Sequence, residues 1–423
     1  MGTFQSIRNQ TDVALSIAKL LFTTKYSEDK NVVFSPSSIH TVLSIIAAGS
    51  DGQTRNQLLT FLRCESTDYL NSLASKLASN VLRDSAPDVG GCPPCLRDNS
   101  SRHPDFSDSE GEAEGPCVCF ANGVWVEQSF SLHHSFKQLL NTAYKATLAS
   151  VDLQNKADEV IKEINLWAEE KTKGLIKDIL SPGSLNSSTR LVFANSLYFK
   201  AAWQEKDSFG ESSTKDGDFH ILNGTSVKVS FMTDKGDRHI CVCDGFKVLR
   251  LDYESGPDTH KFSMYIFLPD ANDGLSALVE HLASESGFLE HRLPNQKVEV
   301  GDFRIPKFKF SFGVDLTDVL KEMGLVLPFS PYDADLTKMV DPLMCQENLY
   351  VSSIKHRSFI SMNEQGTEAA TVTYSDNMGF SLGCMYPKTE VDFVADHPFL
   401  FLIRERLSRT VFFVGQVLDP LHE

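Results

Sequence analysis

Five long apolar runs in the second half of the chain limit its fold more than any other feature. They are "RLVFANSLYFKAAW" (190–203), "KFSMYIFLPD" (261–270), "KVEVGDFRIPKFKFSF" (297–312), "FLFLIRE" (399–405) and "TVFFVGQVL" (410–418). Aromatic and β-branched residues bounded by turn or charged residues are the pattern of strands. The first half reads differently. Residues 11–25 place Val13, Leu15, Ile17, Ala18, Leu20 and Leu21 mostly at helical spacing, which predicts an opening amphipathic helix. "NVVFSPSS" leads into a second helix, with Ser37 or Ser38 capping "IHTVLSIIAAGS" and a glycine-bearing stop from Gly49 to Gly52. That helix is apolar nearly all round and should be buried. Residues 153–180 predict a long amphipathic helix broken near Gly174, and "VDLTDVLKEMGL" a further helix between strands. Helices in front and strands behind, without regular βαβ alternation, predict an α+β fold with large, mostly antiparallel sheets.

At 423 residues and 41% apolar composition, the chain can bury a sizeable core. Its net charge of −16 argues against nucleic acid, polyanionic sugar or acidic membrane as partner, because Lys and Arg are what hold such surfaces. No run approaches the length of a membrane-spanning helix. The opening "MGTFQSIRNQTDVALSIAKLLF" has no basic segment leading into an apolar core, so no secretory signal is expected. A cytosolic location with reduced thiols follows, and nine cysteines, an odd number, agree with it. The Asn-x-Ser/Thr triplets at Asn9, Asn99, Asn186 and Asn223 then carry no glycan, and the match of Gly2 and Ser6 to a myristoylation pattern reads as chance.

Residues 84–116 stand apart from their surroundings. They hold eight acids, two arginines, five prolines and four glycines with almost no large apolar side chains, which predicts a disordered surface insertion. Cys92 and Cys95 in "CPPC", followed by Cys117 and Cys119 in "CVC", offer C-x-x-C and C-x-C spacing. Four thiolates at that spacing could hold zinc, and Cys92 with Cys95 could be a redox pair; the alternative is ordinary reduced surface thiols. Cys241 and Cys243 alternate along an expected strand and are expected to pack. His133 and His134 lie at an expected helix start. No G-x-S-x-G, H-E-x-x-H, G-x-x-x-x-G-K-[ST] or G-x-G-x-x-G motif occurs, and no catalytic residue or cofactor is assigned.

The segment "NEQGTEAATVTYSDN" (363–377) is a sheet-forming stretch with little to hold it in a core. Gly366 can serve as a hinge. Beyond it, alternation puts Thr367, Ala369, Thr371, Thr373, Ser375 and Asn377 on one face, all of small or modest size. Glu368, Ala370, Val372, Tyr374, Asp376 and Met378 fall on the other. The first row suits a tight slot between existing strands while the second stays outside. On composition alone a flexible surface loop is the favoured reading.

Other motifs bear on that choice. The stretch "FVADHPFLFLI" (393–403) resembles the signature of the serpins, and "NEQGTEAA" resembles the hinge of their reactive-centre loop. "NVVFSPSSIHTVLSIIAAGS", "LVFANSLYFKAAW", "FRIPKFKFSFGVDLTDVLKEMGL" and "VFFVGQVLDP" follow in serpin order, and the likeness is greatest to the leaderless plant Z type. The resemblance covers the chain except for residues 84–116. It implies one domain over residues 1–423, with three β-sheets, about nine helices and an exposed reactive-centre loop at about 364–390. It also implies a suicide-substrate inhibitor: a protease cleaves the loop, is held as an acyl-enzyme, and is displaced as the loop inserts into the central sheet.

Further roles follow from the same resemblance. The hinge comprises Glu364, Gln365, Gly366, Thr367, Glu368, Ala369, Ala370 and Thr371. Ser35, Pro36, Ser38, Asn195 and His356 match the polar shutter beneath the sheet, Trp203 the breach where insertion begins, and Lys307 the ion-pair partner of Glu364. Counting from Gly366 puts the reactive bond at Phe380–Ser381; counting back from the signature puts it at Leu382–Gly383. No Lys or Arg occurs from Ser361 to Pro387, so chymotrypsin-like serine or papain-like cysteine proteases are the expected targets. The implied partner is that endopeptidase in covalent complex with a monomeric inhibitor, without cofactor, nucleic acid or membrane. The extracellular space is the alternative location. A non-inhibitory member acting as a binding or chaperone-like scaffold is the alternative function.

Overall fold

The computed structural model describes residues 3–26, 30–80, 116–255, 260–341, 347–367 and 390–422. Among them are nine α-helical segments and two hydrogen-bonded sheet networks. The opening helix, Thr3–Leu20, starts earlier than its apolar spacing suggests and buries Leu15, Ile17 and Ala18. The second, Pro36–Gly49, is buried on almost every side, as its composition requires. Its cap is Ser35 rather than Ser37 or Ser38: the Ser35 hydroxyl accepts the Ser38 N–H at 3.2 Å. Pro36 decides this, because a proline at the first helical position gives up an N–H that had no partner there.

The smaller sheet has six strands in the order Phe308–Asp315, Ser353–Asn363, Gly366–Thr367, Leu191–Ala202, Cys117–Glu127 and Thr147–Val151. Leu191–Ala202 reads as an almost unbroken apolar run because both of its faces are covered. Leu191, Phe193, Leu197 and Phe199 enter the main core. Val192 and Ala194 enter a second core beneath the helix Ala157–Lys171, where Trp125 and Trp167 meet edge to face at 5.0 Å.

That helix fills the middle of the expected span of 153–180, and the break expected near Gly174 is present, with φ of 54° at Lys173 and 86° at Gly174. Thr172 turns the chain by donating its hydroxyl to the Ala168 carbonyl at 2.6 Å and accepting the Ile176 N–H at 3.0 Å. The Asn165 amide then clasps the backbone N–H and carbonyl of Leu180, both at 2.9 Å. Ile176 and Leu180 are therefore buried as a tethered loop, although their spacing continues the helical pattern.

The larger network runs Val32–Phe34, Val411–Val417, Phe399–Glu405, Phe262–Pro269, Phe246–Asp252, Asp237–Cys243, Lys297–Pro306, Ser226–Met232 and Lys215–His220. Lys297–Pro306 joins its two halves. The first residues of that strand pair with Asp237–Cys243, its last two with Ser226–Met232, and its middle with Val391–Val394 in parallel. Three sheet regions are thus present, two of them continuous through one strand. No helix among the described residues is long and apolar enough to cross a membrane.

Candidate functional site

The two central strands of the smaller sheet form a fork. Ser353–Asn363 pairs in parallel with Leu191–Ala202 from Ser353 opposite Val192 to Ser358 opposite Leu197. Continued at the same offset, Met362 would face Ala201. Instead Gly366–Thr367 lies between them, antiparallel to both: Thr367 sits opposite Met362 on one side and Ala201 on the other. Between the closed seam and this short strand, residues 359–361 and 198–200 flank an opening with no ladder pairing across it among the described residues.

The hinge is tied down from several elements. The Asn363 side-chain oxygen accepts the N–H groups of Gln365 at 3.0 Å and Gly366 at 3.2 Å. Trp203 donates its backbone N–H to the Gln365 carbonyl at 2.9 Å and its indole N–H to the Asn363 carbonyl at 3.0 Å. Its ring stacks on Tyr253, 4.4 Å between centroids. The Tyr253 hydroxyl in turn lies 2.6 Å from the hydroxyl of Thr367, which is wholly buried. Gly366 has φ of 151°, and a Cβ there would collide with the Ala201 carbonyl oxygen and lie 2.8 Å from Ala202 Cα. Only glycine lets the chain approach this closely.

Glu364 anchors the turn at its base. Its Oε1 accepts the Thr214 hydroxyl at 2.7 Å and the Lys307 ammonium at 3.1 Å. Burial opposes its charge, but the Thr214 hydrogen bond and Lys307 outweigh that and hold its carboxyl below the ordinary glutamate range. The expected partnership of Glu364 and Lys307 is therefore present.

Below the opening, under the closed seam, is a buried polar cluster. The Ser35 N–H donates to His356 Nε2 at 3.0 Å. A backbone N–H can only donate, so Nε2 is the acceptor and the imidazole proton resides on Nδ1, which donates to Asn195 Oδ1 at 2.9 Å. The Ser358 hydroxyl, 2.9 Å from Nε2, then donates as well. The Asn195 amide passes the chain on to Asn122 Oδ1 and the Ala121 carbonyl. Burial pushes the His356 pKa down to about 3, in keeping with a neutral ring. Ser35 also lies 3.1 Å from the Ser37 hydroxyl, whereas the buried Ser38 hydroxyl has no partner among the described residues.

Ser35, Pro36, Ser38, Asn195 and His356 thus lie along one seam, and Trp203, Lys307, Glu364, Gln365, Gly366 and Thr367 around one hinge. Sequence reasoning missed Tyr253, Thr214, Ser358 and Asn122. Asn122 had a legible signal, a lone amide inside an apolar strand. Glu368, Ala369, Ala370, Thr371, Phe380, Ser381, Leu382, Gly383, Cys92 and Cys95 lie outside the described residues. Cys117 and Cys119 share a strand face with Sγ atoms 3.6 Å apart, and Cys241 and Cys243 do the same at 3.8 Å. Among the described residues no three His, Cys, Asp or Glu side chains converge as a metal site.

The family model Serpin (serine protease inhibitor) matches residues 8–420. The chain is 46% identical to Serpin-ZX of Arabidopsis thaliana across the whole of both chains, and 45% identical to Serpin-ZXA of Oryza sativa subsp. japonica over 98% of each. It superposes on the solved structure of Arabidopsis AtSerpin1 in its native stressed conformation with a TM-score of 0.86, at 45% identity and complete coverage of both chains. On this match, and with a fold shared from end to end, the chain belongs to the serpin family of protease inhibitors.

Proposed function

We propose that this chain inhibits an endopeptidase as a suicide substrate, trapping it covalently as the segment after Gly366 enters the fork as a new strand. The observation that carries the proposal is the short strand Gly366–Thr367, already seated between two strands that part above Ser358 and Leu197. In the sequence after Thr367 small side chains alternate with larger ones, so one row would suit the slot. The polar cluster of Ser35, Asn195 and His356 lies under the seam that would open. Its members must exchange partners as the strands separate, which resists opening until another strand is available. A protease carried along by the loop would lose its oxyanion geometry; the loss of one such donor slows acyl-enzyme chemistry by roughly 10²–10³-fold.

The reactive bond in this proposal is Phe380–Ser381 or Leu382–Gly383. Apolar residues at either site suit chymotrypsin-like serine proteases, or papain-like cysteine proteases that read an apolar side chain nearby. The test is incubation with a protease panel followed by a denaturing gel, with mass spectrometry of the released fragment. A stable adduct with chymotrypsin and none with trypsin is expected, and cleavage within 367–382 should raise the melting temperature sharply. A cleaved chain that melts like the intact one would exclude strand insertion.

A further inference from the structure

The trapping mechanism makes no use of Cys241 and Cys243. They lie two residues apart on the strand Asp237–Cys243, with their Sγ atoms 3.8 Å from each other. Antiparallel pairing fixes where they point: Cys241 sits opposite Val248 and Cys243 opposite Phe246, both core residues, so the two sulfurs share a face and rest against the main core. The other edge of this strand pairs with Lys297–Pro306 only from Asp237 to His239. Beyond His239 that edge has no ladder partner among the described residues, and both cysteines are half-buried rather than sealed.

Three chemistries could use such a pair. Two residues of extended strand separate their Cα atoms by about 6.4–6.8 Å, the upper limit that a disulfide spans, so the backbone disfavours that bond. Zinc asks for three or four protein ligands, and no third His, Cys, Asp or Glu among the described residues converges on the pair. Cu(I) asks for less, because this soft ion is satisfied by two thiolates. With metal–sulfur bonds of about 2.3 Å, sulfurs 3.8 Å apart can already be bridged, and a modest turn of either side chain would supply the roughly 4.6 Å of a linear site. Burial pushes the Cys243 thiol up to about 11 and its hydrogen bond with Cys241 adds to this, while the Arg292 guanidinium pulls the other way. The pair therefore keeps its protons until a metal displaces them. One Cu(I) on two thiolates carries a single negative charge, and Arg292, held 5.6 Å over the Phe288 ring, stands beside the place where that charge would form.

We propose that Cys241 and Cys243 bind one Cu(I) ion between two thiolates, releasing both thiol protons to solvent. The test starts from the full chain with Cys92, Cys95, Cys117 and Cys119 all changed to serine, which removes the other closely spaced thiols. This protein is loaded with Cu(I) under reducing, oxygen-free conditions and challenged with bathocuproine disulfonate, a Cu(I) chelator whose complex is coloured. Retention of one equivalent is expected, and X-ray absorption at the copper edge should show two sulfur neighbours and no others. Cys241→Ser and Cys243→Ser should each weaken retention about 100-fold or more, because even the outer partners of a metal site are worth about 10–100-fold. Cys64→Ser, Cys345→Ser and Cys384→Ser remove the remaining thiols one at a time and should change nothing, so the site can be read by elimination if a serine at 241 or 243 does not fold. The proposal is overturned if no copper survives the chelator, if retention is unchanged in a folded Cys241→Ser or Cys243→Ser, if any of the other three changes abolishes it, or if the copper has nitrogen or oxygen neighbours.

Discussion

Replacing Gly366 by alanine probes the hinge where it is tightest. At φ of 151° any side chain is strained, and a methyl group would press on the Ala201 carbonyl oxygen and Ala202 Cα, backbone atoms that cannot rotate aside. The conformation costs about 1–3 kcal/mol and the overpacking about 1–3 kcal/mol, so a loss of about 4 kcal/mol is expected. With an unfolding entropy of about 2.1 cal/mol/K per residue, a chain of 423 residues should then melt about 4.5 °C lower. Gly224→Ala is the control: φ is 83°, but nothing lies within 4 Å of the added Cβ. That change should cost about 1 kcal/mol and about 1 °C. Calorimetry of both variants, with denaturing gels after chymotrypsin, reads the difference. Gly366→Ala should shift the products from covalent adduct to cleaved inhibitor, while Gly224→Ala should not. Equal melting and equal adduct yield in the two variants would refute the close approach of Gly366 as a determinant of the hinge.

Tyr253→Phe removes the hydroxyl facing Thr367 but keeps the stack on Trp203; it should lower stability by about 1 kcal/mol in denaturant unfolding, and no change would mean that contact is not formed. His356 is held neutral in the fold with a pKa of about 3, below its unfolded value of 6.5. The unfolded chain therefore binds the extra proton first, so the contribution of this residue is full above pH 6.5 and falls as pH drops toward 3. His356→Asn should flatten that part of the stability profile, and an unaltered slope between pH 6 and pH 4 (both ordinary assay choices, about two units apart) would show that the residue does not govern it. Deleting residues 85–115 should leave melting and adduct formation nearly unchanged, because that acidic stretch has almost no apolar side chains to contribute to a core; a chain that failed to fold without it would overturn that expectation.

The α+β class and the order of elements were legible because apolar periodicity and run length report directly on burial. Leu191–Ala202 was recognisable as a strand for that reason. The helix expected over 153–180 breaks near Gly174 as expected but does not resume beyond it, since Ile176 and Leu180 keep helical spacing while side-chain bonds from Thr172 and Asn165 hold the turned backbone as a loop. The cap was misplaced among three serines because Pro36 was not given its positional weight. At the site, motifs drew attention to Glu364, Gly366, Trp203, Asn195 and His356, which lie at the hinge and along the seam. Tyr253 and Thr214 drew none, because they reach Thr367 and Glu364 across long sequence separations and sit in stretches without a distinguishing pattern. The fork itself left no trace in either strand, since alternation fixes which face a side chain takes but not where two neighbours part.

On the proposed mechanism, the seam between Ser353–Ser358 and Val192–Leu197 would also give the sheet a direction of travel. It is a single parallel ladder, whereas Gly366–Thr367 pairs antiparallel with both neighbours. A strand advancing from Gly366 would exchange, at each step, one parallel edge for two antiparallel ones, and antiparallel pairing is slightly the stronger per residue. Retreat would require the reverse exchange, two edges surrendered for one. Movement into the sheet would then behave as a ratchet, with its irreversibility set by how many strands meet along a line rather than by the identity of any side chain.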